Sequence, residues 1–521
     1  MSLFRILLGL VVLALLIPAA ALYTQSGMSP WGEAHASPPS SEGGGPSDRA
    51  LGQGETEANG QRGSPPDHSK GKGNQHSGTP SSTTTSSTTT STPASTTTVT
   101  TTFSTSTSTT TASNDPGSVD QVITGDACPC TVTGTVELRG SINLRGDLMV
   151  HGGTLIARPG VDVNGNGYQI MFMDGGKADF QGTPVFTWSG DGSNANLTRD
   201  INFRNLRRIM FHMGAAPSVL KYFTVSDSGT SALGDYPLHW HLNGNSTRGT
   251  IVEGVVVVNG KHHAFVPHGS HGIKFRNTIA KNTSGEAHWW DPPGTNESCS
   301  FQQDCTLDNS DDIIIDGALC DGVTNGPGDD RGFRLSCFMM GAGSGNVIRN
   351  SVGRNVTPSH IKDCSAFHWP QSANHNVGGN VWVFENNRGS SACHGIFVWQ
   401  NDGNHHTIDG FTGGGIDHGA YGNHYDYRNV NVPYVEVHAQ GWVMADSQVG
   451  DVILRPHVQS GEVVWTNVTI TGTIDVRDAP SGSAVNPIDF IISGGGNSCS
   501  QVVFSNPHPN TRVILDGKPC P

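Results

Sequence analysis

From Val132 to Phe186, apolar residues fall at roughly every second position in short stretches such as GTVELRG, GDLMVHGGTLIARPG and YQIMFMDGGKADFQG, each bounded by Gly, Pro or Asn. This period places alternate side chains on one buried face and predicts short β-strands. No helical i, i+3, i+4 stripe of useful length appears. Past residue 200 the pattern becomes a loose repeat: INFRNLRRI, LKYFTVSDSG, GTIVEGVVVVNG, GIKFRNTIAKN, DIIIDGALCDG, GNVIRNSVGRN, VWVFENNRG, HTIDGFTGG, YDYRNVNV and VVWTNVTITG. An apolar strand is followed by a polar corner at Asn205, Asp227, Gly254, Asn277, Gly317, Asn350, Asn386, Gly410, Asn429 and Asn467. Many of these corners lie roughly 19–27 residues apart, the length of one solenoid coil. Asn at such a corner tolerates the left-handed conformation and can bond its counterpart one coil away. The expected fold is all-β, a right-handed parallel β-helix. A β-sandwich would give turns about every 8–12 residues without a repeating Asn corner.

The chain begins differently. Arg5 precedes an apolar run from Ile6 to Ile17, then Pro18 and Ala19-Ala20-Ala21. Residues 1–24 read as a signal peptide or an uncleaved membrane anchor, and either exports the remainder. A retained anchor would attach the chain to the cell envelope. Residues 25–117 are small and polar, with a Ser/Thr tract over Ser81–Thr111. They are expected to form a disordered spacer. A small β domain over 118–198 and a β-helix over 199–521 complete the expected layout.

Ten cysteines in an exported chain point to disulfides. By order along the chain, Cys299–Cys305, Cys320–Cys337, Cys364–Cys393 and Cys499–Cys520 are candidate pairs, with Cys128 and Cys130 paired together or elsewhere. The net charge of −14 speaks against nucleic-acid binding, which needs a basic face. No P-loop, dinucleotide fingerprint or G-x-S-x-G elbow is present.

The segments LGDYPLHWHLNGNSTRGT, NGKHHAFVPHGSHGIKF and SGEAHWWDPP resemble the β-helical ectodomains of hyaluronan-degrading cell-surface proteins. That family includes the cell-migration-inducing hyaluronan-binding protein, the transmembrane hyaluronidase and the fibrocystin-like proteins. Its Tyr-Pro-x-His-x-His segment corresponds to Tyr236-Pro237-Leu238-His239-Trp240-His241. The stretch from Thr133 to Trp188 is similar in pattern to the small eight-glycine domain that precedes it there. The resemblance covers about residues 120–290 and implies a β-helix acting on a glycan, with a uronate-containing polymer as one candidate.

The residues themselves allow several kinds of chemistry. His239 and His241 are two apart, so a strand points both to one face, with Leu238, Trp240 and Leu242 inward. His262, His263, His268 and His271 follow about one coil later, then Glu286, His288, Trp289, Trp290 and Asp291. Such a face can be a polar ladder, a groove with imidazoles as acid and base, or a metal site, since H-x-H with a further His suits zinc. The candidate catalytic residues are His239, His241, His268, His271, Asp235 and Glu286, the carboxylates orienting the imidazoles or holding a cation. Candidate substrate contacts are His263, His288, Trp289, Trp290 and Asp291. No residue is assigned as a metal ligand and no cofactor is named. Arg204, Arg207, Arg208 and Lys221 form either a uronate contact or a solvated face. The expected function is extracellular glycan depolymerisation by a hydrolase or lyase. The rival is a non-catalytic protein that binds glycans or cell-wall material.

Overall fold

A computed structural model describes the chain from Val119 onward, apart from residues 128–129, 233, 290–309, 326–334, 341–342, 358–363, 370–381, 391–392, 401–404, 422–424, 439–440, 456–460, 478–487 and 506–510. The expected signal or anchor, the spacer, Cys128, the Cys299–Cys305 pair, Trp290 and Asp291 lie outside the described residues.

Short strands of three to six residues recur because Gly, Asn or Asp ends each apolar run in a conformation that a strand cannot continue. The strands stack in parallel as three long sheets. The first runs through Leu148–His151, Gln169–Met173, Arg208–His212, Leu238–Gly244 and Phe265–Ser270. It continues by way of His288 to Leu335–Met339, Cys364–Trp369, His394–Gln400, Ile416–Tyr421 and the end of Asn431–Val437. The second holds Lys177–Gln181, Val219–Lys221, Ile251–Glu253, Lys274–Arg276, Ile314–Asp316 and Asn346–Arg349. The third holds Asp162–Asn164, Asn202–Arg204, Thr224–Ser226, Val256–Val258, Ile279–Thr283 and Leu319–Thr324. Each coil gives one strand to each sheet, which makes a right-handed parallel β-helix. The strand ladders run unbroken past residue 199, and the stretch from 130 to 181 supplies their first coils.

The repeating corner resolves into two. Tyr222, Gly254, Asn277, Gly317, Asn350, Asn386, Gly410, Asn429, Asp446 and Asn467 all have φ between +49° and +74°; the first eight follow strands of the second sheet, and Asp446 and Asn467 continue the corner inside Val443–Leu454 and Gly461–Ile470. Asn205 and Asp227, grouped with them on spacing, instead follow strands of the third sheet, as does Asn259, and Asn282 makes the same bend inside Ile279–Thr283. Both bends require left-handed backbone, so both select the same residue types and spacing alone merges them. Corner amides bond along the stack, as in Asn259 Nδ2 to Asp227 Oδ1 at 3.1 Å and Asn467 Nδ2 to Asp446 Oδ1 at 2.7 Å.

The interior is a column of stacked apolar side chains. Phe172, Phe211 and Trp240 stack at 4.8 and 5.2 Å between ring centroids. Phe265, His288, Phe338 and Phe367 form another run at 4.8, 5.5 and 4.9 Å. Trp369 and Trp382 also fill the interior. Disulfides join Cys320 to Cys337, Cys364 to Cys393 and Cys499 to Cys520, as their order suggested. Bonds of this kind form in an oxidising compartment. No helix among the described residues is long and apolar enough to cross a membrane.

The connection from Lys177–Gln181 to Asn202–Arg204 folds back over the solenoid. Its Trp188, Ala195 and Leu197 pack over the outward side chains Val256, Ile279 and Leu319 of the third sheet. Trp188 Nε1 donates to the Gly317 carbonyl at 2.9 Å. This strap occupies the outer face of the third sheet, and the histidines gather on the outer face of the first.

Candidate functional site

Alternation along the first sheet sends Leu238 and Trp240 into the core and His239 and His241 outward. The parallel register sets His212, His241 and His268 side by side on three successive coils. The position of His239 is held on the preceding coils by Met149, Met171 and Met210, a soft apolar approach to the imidazoles. Ring centroids are 5.1 Å apart for His239 and His241 and 4.9 Å for His241 and His268. One nitrogen from each of His239, His241 and His268 lies within 4.8 Å of the others. His239 is buried, whereas His241 and His268 are partly open.

The surroundings fix the His239 ring. Its Nδ1 is 3.1 Å from the carbonyl oxygen of Gly234, which can only accept, so Nδ1 carries the proton. Nε2 is then the lone-pair nitrogen, buried and without a hydrogen-bond partner. Burial, helped by His241 and His268, holds the ring's pKa well below the usual imidazole value. A ring held neutral at pH 7 is a poor general acid and a ready ligand. His212 Nδ1 lies 3.1 Å from His241 Nδ1.

The other expected site residues form separate groups. Asp235 is buried against Arg207, at 2.8 Å, and Arg208, at 3.4 Å, and accepts from Thr230 at 2.9 Å. It neutralises two of the arginines considered for a uronate. Arg204 pairs with Asp162 and Lys221 with Glu253. Glu286 lies 2.6 Å from His263 Nδ1, and Trp289 stacks on His263 at 4.2 Å. Tyr236 ties this second group to the first, with ring contacts of 4.7 Å to His239, 4.8 Å to His262 and 5.7 Å to Trp289. His271 turns away: its Nδ1 accepts from the Asp311 amide at 3.0 Å. His288 is inside the solenoid, between Phe265 and Phe338, where burial lowers its pKa to about 3.

A further polar group on the same outer face escaped the sequence reading. Asp417 and Glu436 are register neighbours on adjacent coils. His438 Nε2 is 3.1 Å from Glu436 and 3.8 Å from Asp417. Arg455 reaches Glu436 at 3.0 Å, and His394 reaches Asp417 at 3.7 Å. Burial opposes the charge on Glu436, but the His438 hydrogen bond and Arg455 outweigh it and bring its pKa to about 2. The signal was present: Glu436-x-His438 has the same spacing of two as His239-x-His241.

One comparison bears on the first of these two groups. Residues 207–302 match the CEMIP beta-helix family. This CEMIP-like segment contains His212, His239, His241, His268, Glu286 and Trp289, and excludes Asp417 and Glu436. No curated protein matches the chain. Among solved structures, the catalytic domain of a GH87 alpha-1,3-glucanase in complex with tetrasaccharides is similar at 12% identity and a TM-score of 0.36. The similarity covers 73% of this chain and 63% of that one.

Proposed function

We propose that this protein acts on extracellular polysaccharide at the outer face of the first sheet, around His239, His241 and His268. The observation that carries the reading is the convergence of these imidazoles, from two adjacent coils, inside the CEMIP-like segment. The resemblance of Tyr236–His241 to hyaluronan-degrading proteins supports a glycan as substrate. Depolymerisation is the proposed reaction.

A second reading rests on a specific observation. Asp235 and Glu286, the expected carboxylate partners, are bound to Arg207 and Arg208 and to His263. With both of these carboxylates engaged elsewhere, the face suits glycan binding without cleavage.

One experiment separates the two. The full chain is incubated with a panel of neutral and uronate-containing polysaccharides, and new reducing ends and unsaturated uronate absorbance are measured. Depolymerisation predicts product that falls at least about 100-fold in His241→Ala and His268→Ala while the fold persists. Binding without product from any polymer would establish the second reading, and neither binding nor product would remove both.

A further inference from the structure

We infer that His239, His241 and His268 form a mononuclear site for a divalent transition-metal ion of the zinc type, with one coordination position open toward the outer face.

Three observations carry this. The three nitrogens already lie within 4.8 Å of one another. Around an ion with bonds of about 2.0–2.1 Å, tetrahedral ligands stand roughly 3.3 Å apart, so small side-chain rotations close the set. His239 arrives prepared: the Gly234 carbonyl accepts a hydrogen bond from its Nδ1–H and the buried Nε2 has no hydrogen-bond partner. A second-shell carbonyl on the non-ligating nitrogen is the usual way in which a protein orients a metal-binding imidazole. The third observation is the supporting frame. His239 and His241 belong to one strand and His268 to its register neighbour, so two rigid strands rather than loops present the ligands.

The donor set also limits the choice of ion. Three imidazoles suit zinc, cobalt, nickel or copper, whereas calcium and magnesium want oxygen. Three protein ligands leave a fourth position, as in catalytic zinc sites, where the ion binds water or a substrate oxygen. Asp235 and Glu286 are engaged elsewhere, so the protein offers no fourth ligand among these residues. A sugar hydroxyl or uronate carboxylate is the class of ligand that such a position takes from a polysaccharide.

A bound ion is measurable with no substrate present, so the metal site is tested apart from the glycan reading. The test uses the full chain without a polyhistidine tag, stripped with a chelator and reloaded with Zn2+ or Co2+. Bound metal is counted by mass spectrometry, and X-ray absorption reads the ligands of the zinc-loaded wild type. The expected result is about one ion per chain, bound by imidazole nitrogens at about 2.0 Å, and a loss of affinity of at least about 100-fold in His241→Ala and in His268→Ala. His271→Ala, outside the cluster, is expected to keep its ion. Circular dichroism melts confirm that each variant folds, and should either fail to fold, the wild-type absorption spectrum decides alone. A wild type that takes up no Zn2+, Co2+ or Ni2+ overturns the inference, as does uptake that His241→Ala and His268→Ala leave unchanged. A metal-loaded protein that neither binds nor cleaves any polysaccharide leaves this site standing and removes the glycan reading. A metal-free protein that cleaves does the reverse.

Discussion

His212 and His241 face each other across adjacent coils with their Nδ1 atoms 3.1 Å apart. A hydrogen bond there needs one donor and one acceptor, so the two rings share a single proton on that edge. Burial lowers the pKa of His212, which keeps the pair from holding two protons at neutral pH. His241 is therefore oriented from behind by His212, much as His239 is oriented by Gly234.

Replacement of His212 by Ala is expected to weaken Zn2+ binding about 10–100-fold without abolishing it, since the ligands remain and only their orientation loosens. Competition against a zinc chelator of known affinity measures this. An affinity equal to that of the wild type would show that His212 does not position His241.

His288→Phe is expected to be tolerated. The residue sits in an aromatic stack, held neutral, with one long contact from Nε2 to Thr278 Oγ1 at 3.4 Å. A ring of similar size without polar nitrogens fits the column, and the stability change should stay within about 1.5 kcal/mol. Thermal melts give the stability, and glycan affinity measured alongside should be unchanged. A selective loss of glycan binding would return His288 to the substrate contacts.

Gly254→Ala is expected to destabilise the solenoid by about 2 kcal/mol or more. Its φ is +62°, and a Cβ there would stand 2.5 Å from the Tyr222 ring of the preceding coil. Asn277→Gly, at the next corner with φ +50°, should cost no more than about 1 kcal/mol, because glycine adopts that conformation freely. Equal melting shifts for the two variants would contradict the corner model.

The Glu436–His438 pair should make stability depend on pH in a defined window. Glu436 is lowered to about 2 from an unfolded value near 4.3, so its contribution is present above about pH 4.3 and fades as pH falls toward 2. His438 is raised: burial opposes its charge, but the hydrogen bond to Glu436 outweighs burial. Its contribution is present below about pH 6.5 and fades as pH rises through the folded value. Both operate between about pH 4.5 and 6.5. The melting temperature of Glu436→Gln should fall furthest below wild type in that window and converge with it in acid. A difference that does not vary with pH would rule out the ion pair as its origin.

The sequence by itself determined whatever depends on neighbours within one coil. Alternation put His239 and His241 on one face and Trp240 on the other, because successive strand residues must point oppositely. Left-handed backbone at the corners selected Asn, Asp and Gly and so disclosed the solenoid. Cysteine order anticipated three disulfides. The tertiary structure decided whatever depends on register between coils. Turns and insertions of unequal length separate the strands, so linear spacing does not say which residues of one coil stand beside those of the next. That register brings His268 and His212 to His241, takes His271 to Asp311, seals His288 between Phe265 and Phe338, gives Asp235 to two arginines, and assembles Asp417 with Glu436. Local backbone geometry sets the face of a side chain, and the stacking of coils sets its company.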